Sequence, residues 1–363
     1  VSGRVTIREV AALAGVSAGA VSLALNDRPG VSGATRERIR AAAQQLGWVP
    51  SQAARSLARL APGSDTVGLV ITRPARQLGL EPFYMEFISG IQSVLEERSA
   101  TLLLRLVRDR EQETAVHRTW WRTRRVSGSV LVDLTEADPR IPALAALGMP
   151  AVAAGHPGLT GGELAAVWTD DSAAVQDAVR YLAMLGHRRI ARVGGAPDLG
   201  HTAIRTRALA AVAEQLGLEP PRSVPTDFSG RAGARATRML LASAHRPTAI
   251  IYDNDIMAVA GISVAAEFGL HVPADLSLIA WDDSQLCRLT HPALSAMSHD
   301  VHGYGALVAR TLFDVIEHRG TPAGPAPTPV LVPRGSSAPP GAAHRPPPPS
   351  SADSRPVPDS FRG

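Results

Sequence analysis

The chain has 363 residues, 45% apolar and 19% charged, the make-up of a globular protein with room for a small domain beside a larger body. Its single cysteine, Cys287, excludes an internal disulfide and a cysteine-only metal site, and no apolar run of about 18 residues predicts a membrane span. The formal net charge of +4 is uneven: residues 1–60 carry eight Arg against Glu9, Asp27 and Glu37, so the whole excess sits in the first sixth of the chain.

That distribution suggests a nucleic-acid module on a near-neutral body, although a solvated basic face has the same charge. The opening stretch VSGRVTIREV lacks the apolar core of a secretory signal; with one cysteine, a cytoplasmic protein is expected. Thr6-Ile7-Arg8-Glu9 has the form of a capping box, and Ile7, Val10, Ala11 and Ala14 then share one face of a short helix. Gly15 breaks it. Ser17 caps a second helix with Val21, Ala24 and Leu25 inward. Ser32 caps a third, in which Ile39, Ala42, Ala43 and Leu46 recur at helical spacing, and Gly47 ends it. Three short helices with a Gly between the first two fit a helix-turn-helix, and equally a bundle with no DNA role.

A resemblance separates the two. VTIREVAALAGVS, AVSLALN, VSGATRERIRAAAQQLGWVP and SQAARSLA resemble the DNA-binding head of the LacI/GalR family of transcriptional regulators, nearly without gaps for about 55 residues. TVGLVI, LGHRRIARVGG, PTAIIYDND, VPADLSLIAWDD and VLVPRGSS extend the likeness through the body. The resemblance implies that the second helix lies in the major groove, with Ser17 and Ser22 docking it on phosphates. Here it presents Ala18, Gly19 and Ala20, and Leu23 stands where the family usually has Arg. An Arg fork on guanine discriminates by roughly 1–3 kcal/mol, and this helix has none to offer. Its direct reading reduces to methyl contacts. Thr6, Asn26 and Arg36 are candidate contacts flanking it, chiefly to phosphate.

Residues 51–65 are read as a hinge. Pro50 marks a boundary, Ser51 can cap, and residues 52–59 suffice for two helical turns, too few to be stable alone in water. The resemblance implies that two copies pair on DNA through small residues such as Ala54. Leu57 then wedges into the central minor-groove step and Arg55 lies near the backbone.

From Thr66 the pattern alternates strands (TVGLVI, TLLLRL, SGSVLVDL, RRIARVGG, TAIIYD, LSLIAWDD) with helices such as EFISGIQSVLEER, ALAAVAEQLG and AVAGISVAAEFG. This implies parallel sheets covered by helices, in two sets. The fold expected is α+β multidomain: a helix-turn-helix three-helix bundle (1–50), the hinge helix, then a two-lobed α/β effector domain (66–340). The resemblance makes that domain periplasmic-binding-protein-like, with an N-lobe of 66–168 and 297–326 and a C-lobe of 169–296 and 327–340. Ligands of open α/β sheets sit beyond the carboxyl ends of strands. Phe83, Tyr84, Asp170, Asp255, Trp281 and Asp282 fall there, and Arg207 follows on the next helix; the resemblance ranks Arg207 and Asp255 first.

No catalytic constellation is found. RVGGAPDLG lacks the Lys-Ser/Thr of a phosphate loop, the histidines have no metal-ligand spacing, and no GxSxG elbow occurs. No cofactor, metal or catalytic residue is therefore expected. Trp120-Trp121 reads as a helix with one Trp inward. The tail, 341–363, is rich in Pro and Ser and is expected to be disordered, and no Leu heptad there promotes assembly beyond a homodimer. The expected function is a ligand-responsive transcriptional repressor. Its expected partners are double-stranded operator DNA, a sugar-like small molecule and a second copy of itself. A soluble solute-binding protein without a DNA role is the alternative.

Overall fold

A computed structural model describes residues 5–25, 29–48, 66–74, 81–319 and 324–341. The hinge, with Ser51, Ala54, Arg55 and Leu57, lies outside the described residues, as do Asn26 and nearly all of the tail.

The head consists of α1 (Ile7–Ala14), α2 (Ala18–Leu25) and α3 (Gly33–Gln45). Val10, Val21, Ala24 and Ile39 are fully buried at its centre, with Ile7, Leu25, Leu46 and Trp48 packed around them. Gly15 adopts a φ of 65°, the left-handed cap that lets α1 stop after two turns.

The body holds two sheets, parallel but for one edge strand of the second. The first has the order β2-β1-β3-β4-β5, from β1 (Thr66–Thr72), β2 (Thr101–Val107), β3 (Gly128–Leu131), β4 (Ala151–Ala154) and β5 (Ala165–Val167). The helices α4 (Pro82–Glu97), α5 (Arg110–Arg122) and α6 (Arg140–Ala146) connect these strands. The near-continuous apolar runs of β1 and β3 follow from burial on both faces, the mark of a parallel sheet covered by helices. TLLLRL is instead the edge strand β2 and stays partly open.

The second sheet has the order β11-β10-β9-β8-β6-β7. Its elements are α7 (Asp171–Met184), β6 (Ile190–Gly194), α8 (Gly200–Gln215), β7 (Arg222–Pro225), α9 (Gly230–Leu241), β8 (Ala249–Tyr252), α10 (Asp255–Glu267), β9 (Ser277–Trp281), α11 (Gln285–Leu289) and β10 (Ser295–Ser298). The chain then returns to the first lobe as α12 (Val301–Ile316) and comes back as β11 (Val330–Val332), antiparallel to β10. The boundary expected at 297 therefore moves to just after Ser298, because β10 pairs with β9 and belongs wholly to the C-lobe.

α12 is stitched into the N-lobe by its crossing with α4. A Cβ on Gly90 would sit 1.9 Å from the His302 carbonyl oxygen, and one on Gly305 would sit 2.1 Å from that of Phe87. Only glycine permits this approach. Trp120 is buried, and Trp121 is half-buried with its indole N–H donating to the Leu147 carbonyl at 2.9 Å, so the Trp pair serves packing.

Candidate effector cleft and DNA-reading head

In the head, the Glu9 carboxylate accepts from the Thr6 amide at 2.6 Å and from its hydroxyl at 2.8 Å, and these bonds hold Glu9 below the usual carboxylate range. The Ser17 hydroxyl accepts from the Ala20 amide at 3.2 Å, capping α2. Thr6 and Ser17 thus secure helix starts. Ala18, Gly19 and Ala20 form the first turn of α2, and Ser22 lies a turn further on. Arg36 donates to the Ala24 carbonyl at 3.0 Å and Arg38 to the Ala14 carbonyl at 3.0 Å, so both bind the ends of neighbouring helices.

In the body, the carboxyl ends of both sheets face one cavity of about 1040 Å³, its open mouth included. Phe83 and Tyr84, in the first turn of α4, wall its N-lobe side. The Phe83 ring stacks on Phe87 at 5.8 Å and meets Tyr84 edge-on at 5.4 Å. The Tyr84 hydroxyl donates to Asp133 Oδ2 at 2.7 Å. Arg73, just beyond β1, lies 3.2 Å from the same oxygen and 3.7 Å from Glu81, with its guanidinium over the Phe228 ring of the opposite lobe at 5.0 Å. Burial alone would raise the Asp133 carboxyl, but the Arg73 charge, aided by His201 and Tyr84, holds it below its ordinary value.

On the C-lobe side, Arg205 projects from α8. Its Nε donates to Asp171 Oδ1 at 2.9 Å and its Nη1 lies 4.0 Å from Asp253 Oδ1. Asp253 is itself held by Arg192 (Nε to Oδ1, 2.7 Å) and by the Gly195 amide at 2.9 Å. Burial opposes its charge, and Arg192 with Arg205 overcomes that and keeps it low. Asp255, in the first turn of α10, accepts from the Ser284 hydroxyl and from the Ile256 amide. Burial and the nearby Asp282 push its carboxyl up to about 6. Asp282 adopts a left-handed φ of 64°, which turns it out of β9 and toward His299, whose Nε2 lies 2.9 Å from Asp282 Oδ1.

Four of the seven residues expected at the cleft therefore line it: Phe83, Tyr84, Asp255 and Asp282. Three do not. Asp170 is the N-cap of α7, its side chain taken by the Ala173 amide at 2.9 Å, and Asp171 faces the cleft instead. Arg207 is 61% exposed and pairs with Glu136 of the other lobe at 2.7 Å, while Arg205 occupies the cleft. Trp281 is core beneath it, with the Arg205 guanidinium 3.8 Å from its ring centroid. Helix phase could have found Arg205, which shares a face with Ala208, Leu209 and Val212, and Asp171, which shares one with Ala174, Val175 and Ala178. Arg73, Asp133 and His299 carry no such local signal.

The lobes touch beside the cleft as well. The Gly200 amide donates to the Leu134 carbonyl at 2.7 Å, Thr135 bridges Leu199, and Arg110 pairs with Asp198 at 2.9 Å. Among the described residues no cluster of His, Cys, Asp and Glu could hold a metal ion, and no single helix is long and apolar enough to cross a membrane. Cys287 is buried, its thiol pushed up to about 12 by burial and by the carboxylates near it.

Comparison with known proteins adds to this geometry. Residues 6–51 match the family described as bacterial regulatory proteins, lacI family, and residues 179–337 match the periplasmic binding protein-like domain. The HTH-type transcriptional regulator CelR of Thermobifida fusca is 31% identical over 316 residues, 86% of this chain and 92% of the relative. The ribose operon repressor of Escherichia coli (strain K12) is 30% identical over 335 residues, 87% and 93% of the two chains. Among solved structures, a LacI family transcriptional regulator from Bifidobacterium animalis subsp. lactis DSM 10140 is 38% identical with a TM-score of 0.70, covering 76% of this chain and 98% of that one. The CelR–cellobiose complex is 29% identical with a TM-score of 0.69, covering 92% and 100%.

Proposed function

We propose, from the premise that this chain belongs to the lacI family of bacterial regulatory proteins, that it is a homodimeric repressor released from or recruited to its operator by a sugar-like molecule bound between the lobes. The observation that carries the reading is the cleft itself. Aromatic rings on the N-lobe side face carboxylates and Arg205 on the C-lobe side, so a ligand held there contacts both lobes at once. Rings stack on the apolar face of a pyranose or furanose, and carboxylates accept from its hydroxyls. The sugar class draws support from relatives named as a cellobiose complex and a ribose operon repressor.

In this reading ligand occupancy favours one relative placement of the lobes, and the N-lobes of a dimer pass it to the paired hinge segments. Coupling of this kind is typically about 1–3 kcal/mol. A two-fold protein calls for a roughly palindromic site. Since α2 presents Ala18, Gly19 and Ala20, much of the discrimination falls to the hinge and to how readily the central step deforms. A regulator of this kind works in the cytoplasm and performs no chemistry on its ligand.

The test is a mobility-shift and bending assay of the full chain on self-complementary DNA, with and without cellobiose and ribose. Release or tightening by a sugar supports the reading, and a chain that binds no DNA in any condition removes it. Leu57→Ala is expected to give weak, less bent complexes with the fold intact.

A further inference from the structure

The polar groups of the cleft are one-sided. Glu81, Asp133, Asp171, Asp253, Asp255 and Asp282 line it, against the guanidinium groups of Arg73 and Arg205 alone. Arg192 joins from behind Asp253, so six carboxylates face three guanidinium groups. Arg110 and Arg140 approach Asp133 through its carbonyl, but Asp198 occupies the first and Glu113 with Asp138 the second. Both lining arginines are already ion-paired, although Arg73 Nε is buried without a hydrogen-bond partner. Arg73 is shared between Asp133 and Glu81, and Arg205 between Asp171 and Asp253. Burial and the adjacent Arg205 hold the His201 ring below its usual range, while Asp133, Asp171 and Asp253 pull it the other way.

A second observation points the same way. His299 lines the cleft with its side chain 7% exposed, and its Nδ1 is buried without a hydrogen-bond partner. Its Nε2 faces Asp282 Oδ1, an acceptor, so Nε2 carries a hydrogen. The orphaned Nδ1 requires a partner, and a hydroxyl, which both donates and accepts, supplies one. Meanwhile the Tyr84 and Ser284 hydroxyls are both spent on carboxylates, Asp133 and Asp255.

We infer that the cleft selects a ligand that donates hydrogen bonds and carries no negative charge: a free polyhydroxy compound, with phosphate esters and sugar acids excluded. An anion would face an excess of carboxylates in a partly desolvated space, with both arginines already engaged. A hydroxyl-rich neutral molecule instead completes His299 Nδ1 and donates to the Asp282 carboxylate, of which His299 takes only Oδ1. The inference rests on the cleft being the effector site and narrows what that site accepts.

The test uses the full chain, with tryptophan emission (Trp168 lines the cleft) and thermal shift as readouts. The probes are inorganic phosphate and the pairs glucose with glucose 6-phosphate and cellobiose with cellobionate. Phosphate is expected to give no saturable response, and the anionic member of a responding pair to bind roughly 100-fold more weakly than its neutral partner, as like-charge juxtaposition dictates. Asp255→Asn is expected to narrow that gap about tenfold. A saturable response to phosphate, or an anionic sugar binding as tightly as its neutral partner, overturns the inference. An unchanged gap in Asp255→Asn does so too. A sugar response that survives Arg205→Ala instead removes the cleft as the effector site, and the phosphate arm then decides the charge rule alone.

Discussion

The guanidinium of Arg205 lies over the Trp281 ring, its carbon 3.8 Å from the ring centroid, while its Nε and Nη2 hold Asp171. Each half of this arrangement needs the other. The ring holds the group from one side and Asp171 from its edge, so the remaining N–H groups are restrained before any ligand arrives. Pre-organisation of this kind lowers the ordering cost of binding.

Arg205→Ala is therefore expected to lose sugar response by 100-fold or more, of the order found when a buried charge partner is truncated. Arg205→Lys recovers little, because a point charge neither stacks nor forks. Arg207→Ala should change effector affinity by no more than about 1 kcal/mol, the range of an exposed ion pair. Calorimetric titration of the three variants checks the assignment, and a large loss in Arg207→Ala alone would reverse it.

Asp255 makes stability fall as pH rises. A free aspartate titrates near 3.9, while burial, with Asp282 adding to it, pushes Asp255 up to about 6. Between those values the native protein holds a proton that the unfolded chain has lost. Stability is therefore given up as pH rises through this window and is not regained above it. The cost at neutral pH is up to roughly 3 kcal/mol. Asp255→Asn should accordingly melt higher than the parent at pH 7.5, with the gain fading below about pH 4. A variant less stable than the parent at neutral pH would contradict this.

The Arg192–Asp253 pair is buried at both ends. Asp253→Ala leaves a guanidinium in the core and is expected to cost about 3–5 kcal/mol in denaturant unfolding, with the loss centred on the C-lobe. Hydrogen exchange of β6 and β8 would locate it; protection lost only in the N-lobe would speak against the placement.

At the α4–α12 crossing, Gly90→Ala and Gly305→Ala each drive a methyl against a backbone carbonyl. Helix propensity alone would favour Ala by up to about 1 kcal/mol, but the overlap should outweigh it and destabilise by roughly 1–3 kcal/mol. Chemical denaturation decides between the two signs.

Arg36 donates to the end of α2. Arg36→Ala should weaken operator binding by loosening α2 while leaving the dependence of log K on log salt unchanged. A phosphate contact would instead lower that slope by about 1. Binding isotherms across a salt series distinguish the two.

Local chemistry was enough to write much of this molecule from its residues. Thr6 with Glu9, Ser17 and Ser32 mark helix starts through bonds to amides within three residues, so α1 to α3 were legible before any tertiary contact. Apolar runs between turns likewise gave up the alternation of strands and helices, and Phe83, Tyr84, Asp255 and Asp282 sit where strand ends dictate. What eluded such reading is the choice between near neighbours and the pairing of distant ones. Asp170 and Asp171 differ by one step at a helix cap, Arg205 and Arg207 by about 200° around a helix, and Trp281 and Asp282 by a left-handed turn. Each step reverses the direction of a side chain while leaving composition and spacing almost unchanged. Arg73 and Asp133 meet because β1 and β3, far apart in sequence, pair side by side, and His299 reaches both Phe83 and Asp282 only where two lobes built from interleaved segments close on one another. That closure depends on packing energy summed over the whole body, which no short stretch of chain contains.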